Sequence, residues 1–448
     1  MEPKKPTRQK KEKMRMFLTN TVFKVKENPY LKEKYYYIHH KSGLDVYVFP
    51  KKMSVSYAIF GTRYGSIDNK FRLKGDAEYT EVPDGIAHFL EHKMFENEDG
   101  VDTFKRYAKY GASANAYTSF QLTAYLFSCT SNFYENLDIL LDFVTHPYFT
   151  PETVAKEQGI IAQEIRMRED SPGNVLIFDL LKNMYARNSV RKEIAGTVES
   201  ISKITADILY RCYNVFYNLN NMSLCVCGDI DPEKVLSVCD SVLSVSPDIE
   251  IERIRESDKP EVHRPRSEKK MKVARPMFDI GIKNAFISED GVERMKASAV
   301  MSIVSDMLFG SSSDFFNELY EEGLLSNNLS LWSENNRDFS FFTLGGEADE
   351  PEKIFERFTS HMEKIKSEGL DEKQFASFKR VQVANTVRGF ESTSSIANGF
   401  LNSVFDGGDI LDYADILGNV TVEDANSMIR KVFTERNYAM SVVRPVDN

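Results

Sequence analysis

The chain has little of what marks a secreted, membrane-spanning or nucleic-acid-binding protein. Only five cysteines occur in 448 residues (Cys129, Cys212, Cys225, Cys227 and Cys239), and an odd, scattered set suits neither a disulfide framework nor a four-cysteine zinc site. Cys225 and Cys227, two apart in "MSLCVCGDI", read as reduced thiols on one face of a buried strand. No apolar run approaches the ~18 residues that a membrane span requires. The formal charge of −10 argues against a nucleic-acid partner, because phosphate backbones need a basic surface. The basic opening "MEPKKPTRQKKEKMR" runs on without an unbroken apolar core or a small-residue cleavage site, so no secretory signal is expected. Residues 1–28 are read as a flexible basic arm rather than an anchor for anionic surfaces, and the location expected is cytoplasmic.

What is there is an ordinary soluble composition, 42% hydrophobic and 28% charged, in a chain too long for one core. Strand alternation in "YYYIHHKSGLDVYVFPKK" and "VSYAIFGTRYGS" is followed by two helical patterns, then by the strand-like "SANAYTSFQLTAYLFSCT". "FYENLDILLDFVTH" and "TPETVAKEQGIIAQEIRMRED" have helical spacing, the second opened by Thr150 as N-cap and Pro151 at the first helical position. The charged, proline-bearing stretch "SVSPDIEIERIRESDKPEVHRPRSEKK" interrupts these patterns, and the order of strands, helix pair, strands and helices restarts after it. The division expected is an N-terminal domain over 1–245, a linker over 246–265 and a C-terminal domain over 266–448. Each domain is expected to be α+β, a mostly antiparallel sheet flanked by helices.

Histidine is scarce, seven in all, yet two fall within five residues of "GIAHFLEHKMFENEDG". His88, Glu91 and His92 read H-x-x-E-H, the order of the inverzincin motif. On a helix, positions i and i+4 share one face and i+3 lies beside them, so both imidazoles can meet one ion while Glu91 faces its open position. Catalytic zinc takes three protein ligands and a water, and a nearby carboxylate can take that water's proton. A third ligand must come from elsewhere. Glu157 and Glu164, seven apart in "VAKEQGIIAQEI", share a helix face. Their spacing equally fits a solvated helix, although the apolar residues between them favour a partly buried one.

"GIAHFLEHKMF", "GASANAYTSFQLTAYLF" and "VAKEQGIIAQEI" resemble, in order and spacing, the pitrilysin family of zinc peptidases, which includes insulysin and the mitochondrial processing peptidase. The likeness extends over nearly the whole chain and is strongest to short bacterial members of the YmfH type. It implies a LuxS/metallopeptidase-like half-clamshell of two homologous α+β domains. It also implies one Zn²⁺ per chain held by His88, His92 and Glu164, with Glu91 as general base and Glu157 orienting a ligand histidine by hydrogen bonding. Asn115 and Ala116 would lie on an edge strand that pairs with an extended peptide substrate.

The second half has no H-x-x-E-H. Its one histidine beyond the linker, His361, reads as a solvated helix residue. In the family, this half supplies an Arg and a Tyr that hold the substrate carbonyl. The matching stretch here, "ELYEEGLLSNN", puts Tyr320 near the arginine position and Ser326 or Asn327 near the tyrosine position, and neither supplies the same donors. The expectation is a zinc metalloendopeptidase acting on peptides or unfolded segments, completed as a heterodimer by a related zinc-less subunit, with a homodimer as the variant arrangement. The reading from another class is a non-catalytic binding or scaffold subunit.

Overall fold

Alternating bulky and polar residues from Glu33 onward build the first sheet. The computed structural model describes residues 23–446. Its first strands are β1 (Lys24–Asn28), β2 (Glu33–His39), β3 (Asp45–Pro50), β4 (Ser56–Thr62), β5 (Lys70–Leu73), β6 (Thr80–Glu81), β7 (Ser113–Thr118), β8 (Thr123–Cys129) and β9 (Met222–Gly228). Seven of them form one sheet in the order β1-β2-β3-β9-β4-β8-β7, with β3 and β9 its parallel pair. β9 is buried at every position, as its central place between β3 and β4 requires. Cys225 and Cys227 share one apolar cluster, and all five cysteines are free and buried.

The arm read over residues 1–28 lies outside the described residues as far as residue 22. Its last five residues are not an arm: Lys24–Asn28 form β1, paired antiparallel with β2. The buried Asn28 anchors this strand by donating from Nδ2 to the Leu411 carbonyl at 2.8 Å.

The stretch read as a linker, 246–265, is also ordered in part. Ile251–Arg253 form β10, antiparallel to β5 in a small sheet β10-β5-β6. Arg253 Nε and Arg255 Nη2 donate to Oδ1 of the buried Asp68 at 2.9 and 2.6 Å. A segment with no apolar period is thus fixed by charge-assisted hydrogen bonds to a carboxylate that needs them.

The second half repeats the plan with β11 (Arg266–Met271), β12 (Met277–Lys283), β13 (Ser330–Asn335), β14 (Ser340–Glu347) and β15 (Tyr438–Pro445). Their order is β11-β15-β12-β14-β13, with β11 and β15 parallel and the other pairs antiparallel. The architecture is α+β in both halves.

The halves exchange helices. Helix Pro172–Met184 packs on β12 and β15 of the second sheet, where a Cβ on Gly281 would come within 2.8 Å of Met184 Sδ. In return, helix Thr393–Phe405 covers β4 and β9 of the first sheet. Its Phe400, fully buried, meets the rings of Tyr35, Tyr47 and Phe49 at centroid distances of 4.8, 4.7 and 5.1 Å. Gly61 on β4 leaves the space for Leu401, whose Cδ2 would lie 2.7 Å from an added Cβ. No helix among the described residues is long and apolar enough to cross a membrane.

Candidate active site

The H-x-x-E-H residues sit on helix Ile86–Lys93. The helix starts immediately after Gly85, at φ 90°, whose missing Cβ lets the chain pass the Ala195 carbonyl at what would be 2.3 Å. A side chain there would be both strained and obstructed. One helix face then carries His88, Glu91 and His92 inward, with His88 and Glu91 buried.

The second contributor is helix Pro151–Glu169. Thr150 and Thr153 form a reciprocal capping box at its start, with Pro151 in the first turn. The helix packs against helix Ile86–Lys93 through the first core, burying Val154, Glu157, Ile161 and Ile165. This packing brings Glu164 opposite the imidazoles. Its Oε1 lies 3.6 Å from His88 Nε2, and its Oε2 lies 3.6 Å from His92 Nε2. One ligand atom from each of His88, His92 and Glu164 falls within 4.8 Å of the others.

Two imidazole nitrogens and a carboxylate oxygen are a donor set that suits zinc. Glu157 Oε1 stands 3.0 Å from His92 Nδ1, which commits that nitrogen and leaves Nε2 toward Glu164. Burial, joined by the nearby His92, holds the His88 pKa down to about 4, so this ring is neutral and keeps a lone pair. Burial works against a charged His92, but the Glu157 hydrogen bond and the carboxylates of Glu91, Glu157 and Glu164 outweigh it and raise its pKa. Burial likewise opposes a charged Glu164, yet His88, Arg168 and His92 keep its carboxyl below the ordinary value. The residues present fit a divalent metal.

Two polar contacts at this site are absent from the reading of the sequence. Thr118 donates from Oγ1 to Glu91 Oε2 at 2.7 Å, partly offsetting the burial that pushes the Glu91 carboxyl up. Arg168 donates from Nε and Nη2 to Glu164 Oε1 at 2.9 and 2.8 Å. Arg168 was legible as the i+4 partner of Glu164 on one helix. Thr118 was legible only as the next inward position after Ala116 in the strand alternation.

Asn115 and Ala116 lie on β7, the terminal strand of the seven-stranded sheet, which packs beside helix Ile86–Lys93. Ala116 turns toward the first core and Asn115 is exposed. In the second half, Tyr320 is exposed on helix Asp314–Glu321, its ring stacked on Phe316. Ser326 accepts a hydrogen bond from Arg275 Nη1 at 3.1 Å, and Asn327 is exposed. His361 is not the solvated residue expected. It is half-buried against Phe315 and Phe309, at ring-centroid distances of 5.1 and 6.2 Å, because its helix turns that position toward the core.

Comparison with known proteins gives a family for this fold. Residues 75–198 match the family model described as Insulinase (Peptidase family M16), and residues 203–381 match Peptidase M16 inactive domain. The protein named Uncharacterized zinc protease YmfH from Bacillus subtilis (strain 168) is 41% identical over 407 residues, 90% of this chain and 94% of its own. A second Bacillus subtilis protein, Uncharacterized zinc protease YmxG, is 25% identical over 84% of this chain and 91% of its own. A solved structure, the putative M16-like peptidase from Alicyclobacillus acidocaldarius, matches at TM-score 0.88 and 33% identity over 96% of this chain and 100% of its own. Pitrilysin, 14% identical, shares the fold at TM-score 0.74 over 96% of this chain and 47% of its own. The chain belongs to the M16, or insulinase, family of peptidases.

Proposed function

We propose that this protein is a zinc-dependent metalloendopeptidase hydrolysing peptides or unfolded segments. The observation that carries the reading is the convergence of His88, His92 and Glu164, with Glu91 held beside them. His88, His92 and Glu164 would hold one zinc per chain. Bound there, zinc supplies Lewis acidity that polarises a peptide carbonyl and brings the pKa of water towards neutrality. Glu91 accepts the proton of the attacking water and delivers it to the departing amine. Glu157 fixes the ring of His92, and Thr118 fixes the carboxylate of Glu91. Asn115 and Ala116, on the terminal strand β7, pair with the extended substrate through main-chain hydrogen bonds, which tolerate many sequences.

The substrate carbonyl also needs donors opposite the metal. Tyr320 stands near the position of the arginine that would serve and Ser326 or Asn327 near that of the tyrosine, so a related zinc-less subunit supplies both in a two-chain enzyme of the cytoplasm. The test is metal analysis joined to peptide cleavage. The purified chain carries about one zinc, His88→Ala loses it, and Glu91→Gln keeps it but cleaves nothing. Cleavage rises sharply when the partner chain is added. A chain that binds no zinc defeats the reading, and robust turnover by a verified monomer or homodimer defeats the two-chain part.

A further inference from the structure

Glu164 is bound by a cation on its own helix, and both bonds fall on one oxygen. Arg168 donates to Oε1 from Nε at 2.9 Å and from Nη2 at 2.8 Å. Oε2 takes neither bond. An arginine fork ordinarily spans a carboxylate, with one N–H on each oxygen. Here it meets one oxygen twice. An ionised carboxylate has about two acceptor sites on each oxygen, so the arginine fills Oε1 and leaves Oε2 free.

The pair is built locally. Glu164 and Arg168 stand four apart with the acid first, the favoured order on a helix. Arg168 also lies in the last turn of helix Pro151–Glu169, where the helix dipole favours a cation. Its side chain is 38% exposed and that of Glu164 22%, so the pair sits at the rim of the site rather than in the core.

Without the arginine the two oxygens would be equivalent toward the imidazoles. Oε1 is 3.6 Å from His88 Nε2, and Oε2 is 3.6 Å from His92 Nε2. A carboxylate so placed can give a metal either oxygen or both. Catalytic zinc needs one position left for water beside its three protein ligands, and a second oxygen from Glu164 would take it. The guanidinium settles the choice by occupying Oε1. It also sets a positive charge beside a ligand, which weakens the hold on a divalent ion.

We propose that Arg168 is a positioning residue: by occupying Oε1 it limits Glu164 to ligating zinc through Oε2, which lowers metal affinity and keeps one position open. The proposal rests on the metallopeptidase reading above and adds a tuning residue to its metal site.

The test compares the full chain with Arg168→Met and Arg168→Lys, each loaded with zinc and, separately, with Co²⁺. The visible absorption of Co²⁺ is several-fold stronger at four-coordinate than at five-coordinate sites. Arg168→Met is expected to bind zinc about tenfold tighter in chelator competition, the effect of removing one unit charge from beside a divalent ion. Its Co²⁺ absorption should fall by about twofold or more as the second oxygen of Glu164 closes the open position. Arg168→Lys keeps the charge without the fork, so zinc affinity stays near wild type while the absorption falls. Elution volume should be unchanged in both variants. A purely structural brace predicts the opposite sign, so weaker zinc binding by Arg168→Met overturns the proposal. Equal Co²⁺ absorption in all three proteins, or a wild-type spectrum in Arg168→Lys, also overturns it. A wild-type chain that binds neither metal defeats the metallopeptidase reading and this role together. Metal binding without the spectral change defeats the role alone.

Discussion

Thr118 Oγ1 lies 2.7 Å from Glu91 Oε2, joining the end of terminal strand β7 to the helix that bears both histidines. The same hydroxyl stands 3.2 Å from Thr123 Oγ1 across the hairpin, so its position is set by the sheet. The proposed base is therefore aimed from the strand on which the substrate is proposed to pair. Thr118→Val keeps the shape and removes the donor. Its kcat is expected to fall by about tenfold or more, the size of one hydrogen bond to a charged group, with zinc retained. Thr118→Ser should stay near wild type. Equal losses in the two variants would show that packing, not the hydroxyl, matters.

Glu157 is buried, and its Oε1 is 3.0 Å from His92 Nδ1. Without that carboxylate the ring loses its fixed tautomer and part of its basicity. Glu157→Gln is expected to weaken zinc binding by about 10–100-fold, read by competition against a chelator. Wild-type affinity in that variant would rule out the role.

Phe400 belongs by sequence to the second half and by packing to the first sheet. Phe400→Ala leaves a void among Tyr35, Tyr47 and Phe49 and is expected to cost about 3–5 kcal/mol of stability. The exposed Val387→Ala serves as control and should change stability by no more than about 0.5 kcal/mol. Denaturant unfolding checks both, and a small effect at Phe400 would mean that the helix is not integral to the sheet.

Burial holds the Asp279 carboxyl up from 3.8 to about 7. It lies on β12 opposite Gly345 on β14 and Ser441 on β15. The folded state disfavours the carboxylate, so stability falls as pH rises from about 4 and levels off above about 7. Asp279→Asn removes this loss. Its melting temperature should exceed that of wild type at pH 8 by clearly more than at pH 5, and a pH-independent difference would contradict the assignment.

Much of the site was legible because helix pitch is local. His88, Glu91 and His92 must share a face wherever a helix forms, and the Thr150-Pro151 start sets the face shared by Glu157 and Glu164. Alternation likewise placed β2, β3, β4 and β8 without reference to anything distant. Misreadings arose where the partner is far along the chain. Lys24–Asn28 are held in place because Leu411 awaits Asn28, β10 orders because Asp68 needs its arginines, and His361 turns inward against Phe315.

The sequence by itself determined the chemistry on each helix: which residue types, at which spacing, on which face. Only the tertiary structure decided that these faces meet. Glu164 stands 3.6 Å from each histidine because two helices bury a common apolar stripe, and Thr118 reaches Glu91 because β7 packs beside one of them. β9 enters between β3 and β4, and the halves exchange the helices Pro172–Met184 and Thr393–Phe405. The reason is physical: hydrogen-bonded pitch and pleat are set by neighbouring residues, whereas burial of apolar faces is non-directional and is settled by the whole chain at once.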